Sequence, residues 1–519
     1  MDRQDPDRLS HWEGRSFLGS PAPVLLVWLC LYAARPFFLG LYHDDWVIYL
    51  DSPSWNNTNA TFWLFANRPI LGFYHIGTSW LAQGHIAILH LFAALTVLAT
   101  ALILRRFLVA VISYAFRQNS RVGCNIAACL WLMMPWTLGT TAWIITNPTL
   151  MSVLGFGLAG LTLLNHWRYQ DQLLPWLPVS LLISALSYEM FIAQLPLLLG
   201  LYYLDEDRKP RRLPPYLPRI VLITLASLSV AFVSRASLER LGKLLDMKAP
   251  MKSFNPEWLS LFLRNLRPDW LLQAFPGQES TITPTIILII GLIILVFVRS
   301  IDREGRRFKR LLLSALIALT GYSLSCLVPA LAGYALSGVG LDSRVTIGAS
   351  FWMAFFLAFI FSEAADRSDW TTKLSWMVAI VLACSFTLAM VAQLSDWRVV
   401  WNSERALLRK LDISSHATLP ENALVALDRP ISRNGVYGFR SSWDLDFAIR
   451  DLSGRMDNAT YLVAGDYWKV HANQGRVVQR AGTYVLAEYR PSMAWVLDVE
   501  TGKLRPMAAQ QVLGGSDYP

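Results

Sequence analysis

Long uncharged runs recur along this chain, and they limit its fold more than any other feature. The run "HIAILHLFAALTVLATALIL" holds no Asp, Glu, Lys or Arg over residues 85–104, and roughly 17–25 apolar residues cross a bilayer. A soluble protein is about a quarter charged; here charged residues make up 16% of 519 positions, and 54% are hydrophobic. The chain is therefore read as an α-helical polytopic membrane protein. About eleven spans are expected, near 22–40, 85–104, 122–140, 148–165, 173–188, 190–204, 216–236, 284–298, 311–331, 345–363 and 374–394. Cys30, Cys124, Cys129, Cys326 and Cys384 all fall within these spans, which predicts small hydrophobes and neither a disulfide framework nor a metal motif. The segment "MDRQDPDRLSHWEGRSF" is too long and too acidic to lead a cleaved signal peptide, so the first span is read as retained.

Basic residues set the expected orientation, because Lys and Arg concentrate in cytoplasmic loops. The stretch "LLPWLPVSLLISALSYEMFIAQLPLLLGLYYL" reads either as one long span or as a tight hairpin. Only the hairpin keeps both "DEDRKPRRLPP" and "RSIDREGRRFKR" on the side of Arg105, Arg106, Arg117, Arg121 and the N-terminal 1–21. It puts Tyr188 and Glu189 at the outer tip. The same parity sends loop 41–84, loop 237–283, the turn at 333–344 and everything after 394 outside. The expected place is a bacterial inner membrane, with the N-terminus cytoplasmic and residues 395–519 periplasmic. The formal charge of +9 follows from this topology and gives no nucleic-acid signature. Within the transmembrane domain 22–394, loop 237–283 keeps six basic residues, read either as facing lipid headgroups or as meeting a phosphate-bearing partner. After "LSDWRVVWNSERALLRKLDI", which has helical spacing, short β-prone runs predict a small α/β or mainly β C-terminal domain. No glycine-rich phosphate loop is present, so a sugar donor would have to be one available outside.

Candidate chemistry sits in "LGLYHDDWVIYLDS". Adjacent Asp44 and Asp45 raise each other's proton affinity, which suits a general base for a hydroxyl acceptor. Capping of a following helix is the competing structural reading. Trp46, Tyr49 and the other rings of loop 41–84 suit an interfacial belt, and also stacking on sugar faces. Arg68 is the one basic residue of that loop, a planar fork suited to phosphate oxygens or a carboxylate. Glu189 and Arg344 are ionisable groups at the edges of apolar spans, on the same expected face. Glu189 is read as a substrate or metal contact or as a partner of an arginine, and Arg344 as a phosphate contact or a residue snorkelling to headgroups.

In this layout the chain resembles the GT-C class of integral-membrane glycosyltransferases. The residues that carry the likeness are "HDDWVIY" after the first span, the Arg-Pro of "NRPILGFY", the S-x-E of "LSYEMFIAQLPLLL" and an "SR" before a late span. The bacterial protein mannosyltransferase-like, aminoarabinose transferase-like and O-antigen glucosyltransferase-like branches are the most similar. The resemblance implies inverting transfer of a sugar from a polyprenyl-phosphate donor to a glycan, lipid or protein acceptor of the cell envelope. It makes Asp44 the base with Asp45 orienting it, Arg68 and Arg344 contacts of the lipid phosphate, and Glu189 part of the acceptor pocket. Several members carry Asp-Glu with a closer Tyr, so the resemblance does not settle which aspartate is the base. A divalent cation (Mg²⁺, Mn²⁺ or Ca²⁺) on Asp44, Asp45 and His43 stays open as cofactor. Three rivals remain, a lipid-linked polysaccharide polymerase or ligase using the arginines of loop 237–283, a transporter or flippase, and a non-catalytic membrane scaffold.

Overall fold

Among the described residues, six helices of the computed structural model are long and apolar enough to cross a membrane, and a seventh span arises if one bent pair counts as one. The structure describes residues 17–42, 45–46, 61–63, 65–116, 118, 121–169, 175–201, 217–244, 256–275, 306–365, 369–411, 416, 419–420, 423–439, 444–446, 448–449, 460–462, 469–473, 476–481, 484–507 and 512–513. Among them the helices are α1 (Ala22–Tyr32), α2 (Pro69–Ala82), α3 (Ile86–Ala115), α4 (Arg121–Met133), α5 (Leu150–Tyr169), α6 (Trp176–Ser187), α7 (Leu195–Gly200), α8 (Leu217–Leu244), α9 (Trp258–Leu266), α10 (Arg306–Leu331), α11 (Ile347–Ala365) and α12 (Asp369–Lys410).

The expected eleven spans are thus corrected to six or seven. Three of the missing ones are shorter apolar helices, Ala22–Phe37, Trp176–Ser187 and Glu189–Gly200, and the expected span 284–298 lies outside the described residues. Backbone breaks explain the shortening. A turn after Tyr32 and Pro36 end α1 early, and Tyr188, extended at φ −155°, splits the 173–204 run. The split makes a hairpin, as expected. Ser184 Oγ donates to Ser152 O, while Gly160 lies against Leu198, so the chain reverses at Tyr188–Glu189.

Successive contacts fix the ends of the bundle. One end gathers residues 40–42 and 45–46, the start of α2, Glu189, Arg235 of α8, residues 334–346 and the second half of α12. The opposite end gathers Leu18–Ser20, Arg105, Asn125, Gln118 and Glu363. With 42 residues, α12 runs about 63 Å at 1.5 Å per residue, twice the ~30 Å hydrocarbon core, and its second half carries the strand domain. There β1 (Leu424–Leu427) pairs in parallel with β4 (Thr460–Leu462) and β8 (Ala494–Leu497), and β9 (Leu504–Pro506) is antiparallel to β8. A second, antiparallel sheet has the order Val512–Leu513, Lys469–Asn473, Arg476–Ala481, Tyr484–Tyr489. One mixed and one antiparallel sheet form the small C-terminal strand region expected as α/β or mainly β. The domain shares one apolar core with the bundle, because Tyr42 and Trp46 cluster with Trp397, Trp401, Phe439 and Leu497.

A two-strand hairpin, Ser432–Arg433 with Val436–Tyr437, ties the domain to a turn of the bundle. Its Asn434-Gly435 pair takes positive φ (47° and 75°), the combination that a tight two-residue turn requires. Gly435 O accepts Leu341 N–H at 3.0 Å, and Arg433 Nε and Asn434 Nδ2 donate to Asp396 of α12 at 2.7 and 3.0 Å.

Candidate functional site

The site is organised by a segment that does not cross the membrane straight. After α4 the chain bends by 60° at Pro135 and runs through short helical turns to Thr149, buried at every residue from Met134 to Leu150. Irregular backbone at membrane depth persists only where protein buries it and satisfies its polar groups. The composition of "TLGTTAWIITNPT" supplies the partners. Thr137, Thr146 and Thr149 hydroxyls donate to carbonyls three residues back, and Asn147 Nδ2 donates to Ala93 O and Thr140 O. Arg35, at 2% exposure, pins the segment from α1 by donating to Thr141 O and Oγ1 at 3.3 and 3.2 Å. Its guanidinium also lies 3.7 Å over the Tyr32 ring.

Asp45 is locked against this segment. It is fully buried, and its carboxylate accepts Tyr42 N–H at 3.0 Å and Ile145 N–H at 2.8 Å, one on each oxygen. The peptide of Ile145 works on both sides, since its carbonyl lies 3.1 Å from His75 Nε2. Burial pushes the His75 imidazole down to about 3, against the hydrogen bond to Ile145, so the ring is neutral and donates. Asp45 is thus an anchoring carboxylate. Of the three ligands expected for a cation only Asp45 lies among the described residues, and each of its oxygens accepts an amide N–H. His43, Asp44 and Tyr49 lie outside the described residues. Trp46, expected at the substrate, is corrected to a core residue. It is 5% exposed, with ring centroids of Trp401 and Phe439 at 5.9 and 5.6 Å, and a ring buried among such neighbours is no open stacking face.

Arg68 and Glu189, far apart in sequence, meet as expected of an arginine–carboxylate pair. Arg68 Nη2 and Nε reach Glu189 Oε2 and Oε1 at 3.2 and 3.4 Å, and the guanidinium lies 4.2 Å over the Tyr188 ring. Arg235 of α8 binds the same carboxylate through Nη1 and the Ala185 carbonyl through Nη2. Sequence reasoning missed Arg235. Its only signal was a charge at the last turn of an otherwise apolar span. Burial disfavours ionised Glu189, but the Arg68 and Arg235 guanidiniums outweigh it and leave the carboxyl below its ordinary range. Two guanidiniums against one carboxylate leave one net positive charge. All three side chains are partly accessible, at 28%, 15% and 33% for Arg68, Arg235 and Glu189.

Arg344 sits on the other flank of the buried segment. Thr140 Oγ1 donates to its carbonyl at 3.0 Å, and its guanidinium lies 5.1 Å over the Trp143 ring and 5.2 Å over Tyr334. Its ion pair is with the half-exposed Asp342 at 3.4 Å. Gly139 permits the close approach: a Cβ there would lie 2.6 Å from Arg344 N. Trp143 in turn donates from Nε1 to Tyr42 O at 3.0 Å, which links Arg344 to the Asp45 loop. The Arg68 side connects through Phe65, whose ring lies 4.8 Å from that of His75. Arg264 and Arg267, from the expected loop 237–283, are exposed at the end of α9.

The chain matches no protein-family model and no curated protein.

Proposed function

We propose that this protein is an inverting glycosyltransferase of the GT-C type, which moves a sugar from a polyprenyl-phosphate donor to a glycan, lipid or protein acceptor of the cell envelope. One observation carries the reading. Asp45, the Arg68–Glu189–Arg235 cluster and Arg344 gather around one buried segment of short, broken helical turns at the strand-domain end of the bundle. On the arginine topology that end faces outward from a bacterial inner membrane, where lipid-linked sugars are available.

In this reading Asp44 takes the proton of the acceptor hydroxyl while its oxygen attacks the anomeric carbon. The bond to the phosphate breaks on the opposite face, so the anomeric configuration inverts. The leaving polyprenyl phosphate carries off the electron pair of that bond. The surplus positive charge of the Arg68–Arg235 pair, together with Arg344, offsets the charge that develops there. Asp45 fixes the loop that holds Asp44. Glu189 keeps two guanidiniums side by side that would otherwise repel each other. No step is routed through a cation. The test is transfer from purified lipid-linked sugar by reconstituted protein. Asp44→Asn should lose turnover while remaining folded, and Arg68→Ala should raise KM for the donor; full activity in both would reject the reading.

A further inference from the structure

At the end of the bundle opposite the candidate site, an apolar groove of about 180 Å³ runs between α4 and α12. Ile126, Cys129 and Met133 form one wall, and Trp376, Ile380 and Ala383 the other. It opens on the lipid-facing flank, where Ile380 is 58% exposed. Leu18, Val122 and Asn125 close one end, and polarity changes abruptly there. The Asn125 amide binds the carbonyls of Leu18 and Ser20 through Nδ2 and accepts from Arg105 Nε through Oδ1. Arg105 Nη2 donates to Gly19 O at 2.8 Å. Arg106 and Arg121 lie within electrostatic reach of Arg105, and Arg121 immediately precedes the lining residue Val122. None of these three arginines forms an ion pair among the described residues.

We infer that this groove is a binding site for an anionic glycerophospholipid, with an acyl chain between α4 and α12 and the headgroup phosphate on Arg105, Arg106 and Arg121. Three clustered cations without a carboxylate partner among the described residues favour a counter-anion. Basic pockets between membrane helices supply the field that selects anionic headgroups, and an adjoining apolar channel selects a lipid over free phosphate. Arg105 is partly spent on Asn125 and Gly19, so Arg106 and Arg121 are the arginines with donors to give. The site is independent of the proposed transferase chemistry, which lies at the other end.

The test uses the full chain in detergent, with phosphatidylglycerol and phosphatidylcholine of equal chain length in competition, read by native mass spectrometry. The wild type should retain phosphatidylglycerol preferentially. Arg106→Gln and Arg121→Gln should each reduce that preference about fivefold with unchanged thermal unfolding, since neither makes a structural hydrogen bond among the described residues. Ala383→Phe should block retention of the chain, and millimolar inorganic phosphate should not displace the lipid. Equal retention of the two lipids, displacement by phosphate, or indifference to Ala383→Phe would overturn the assignment.

Discussion

Asp45 and Glu189 are two acidic side chains at one end of the bundle, and the protein holds each of them by a different means. Asp45 is fully buried and bracketed by neutral amide donors from Tyr42 and Ile145. Glu189 is a third exposed and held between the guanidiniums of Arg68 and Arg235. Neutral amides fix a position and bring no cation, so Asp45 serves geometry. Arginines leave a surplus, so the Glu189 cluster presents a cation to whatever enters. The neighbouring acids of the sequence thus divide into one that holds the loop and one, Asp44, that is free in the proposal to handle a proton.

The largest expected effect comes from breaking the bracket. Asp45→Ala strands two buried amides, each costing about 1–3 kcal/mol, so stability should fall by about 2–6 kcal/mol in thermal or denaturant unfolding. Asp45→Asn should cost about half, because the amide oxygen keeps one of the two donors.

Next in size is the response to acid. With His75 depressed by burial to about 3 from an ordinary 6.5, the unfolded chain binds the proton first. Its contribution is therefore present above pH 6.5 and is lost as pH falls towards 3, at up to about 1.4 kcal/mol per pH unit. Glu189 is also depressed, from an ordinary 4.5, so its contribution is lost only below that value. His75→Gln should remove the loss between pH 6.5 and 4.5 and leave the lower limb, measured by unfolding across pH.

A smaller change is expected at the arginine cluster. Glu189→Gln leaves Arg68 and Arg235 unneutralised, but partial exposure screens the repulsion, and the cost should be about 1 kcal/mol. A loss as large as that of Asp45→Ala would mean that Glu189 too is structural.

The fold was partly legible in the sequence, and the limits are physical. Hydropathy marks spans but not their depth. Residues 144–167 and 217–241 have similar mean hydropathies of 1.5 and 1.9, yet 78% of one window is buried and 22% of the other. Small residues carry the difference: Gly155 lets the backbone of α6 approach, a packing signal that hydropathy averages away. The span count failed where Pro36 interrupts the first apolar run without changing its composition, and at the two arms of the hairpin, Trp176–Ser187 and Glu189–Gly200, which are apolar but short. At the site, Asp45, Arg68, Glu189 and Arg344, expected on one face, lie at one end of the bundle. Arg235 stayed hidden because it looks like the ordinary edge of a span. The role of Ile145 was illegible in principle, because it acts through its peptide and not its side chain.

The division of labour between the adjacent aspartates is the central claim, and one measurement addresses it most directly. Asp44→Asn and Asp45→Asn are compared in transfer from purified polyprenyl-phosphate sugar, each beside its own unfolding curve. Asp44→Asn should lose at least about a hundredfold in turnover, as expected for a general base, with unfolding unchanged, while Asp45→Asn should lose stability first. Full turnover in Asp44→Asn, or a stable but inactive Asp45→Asn, would contradict it.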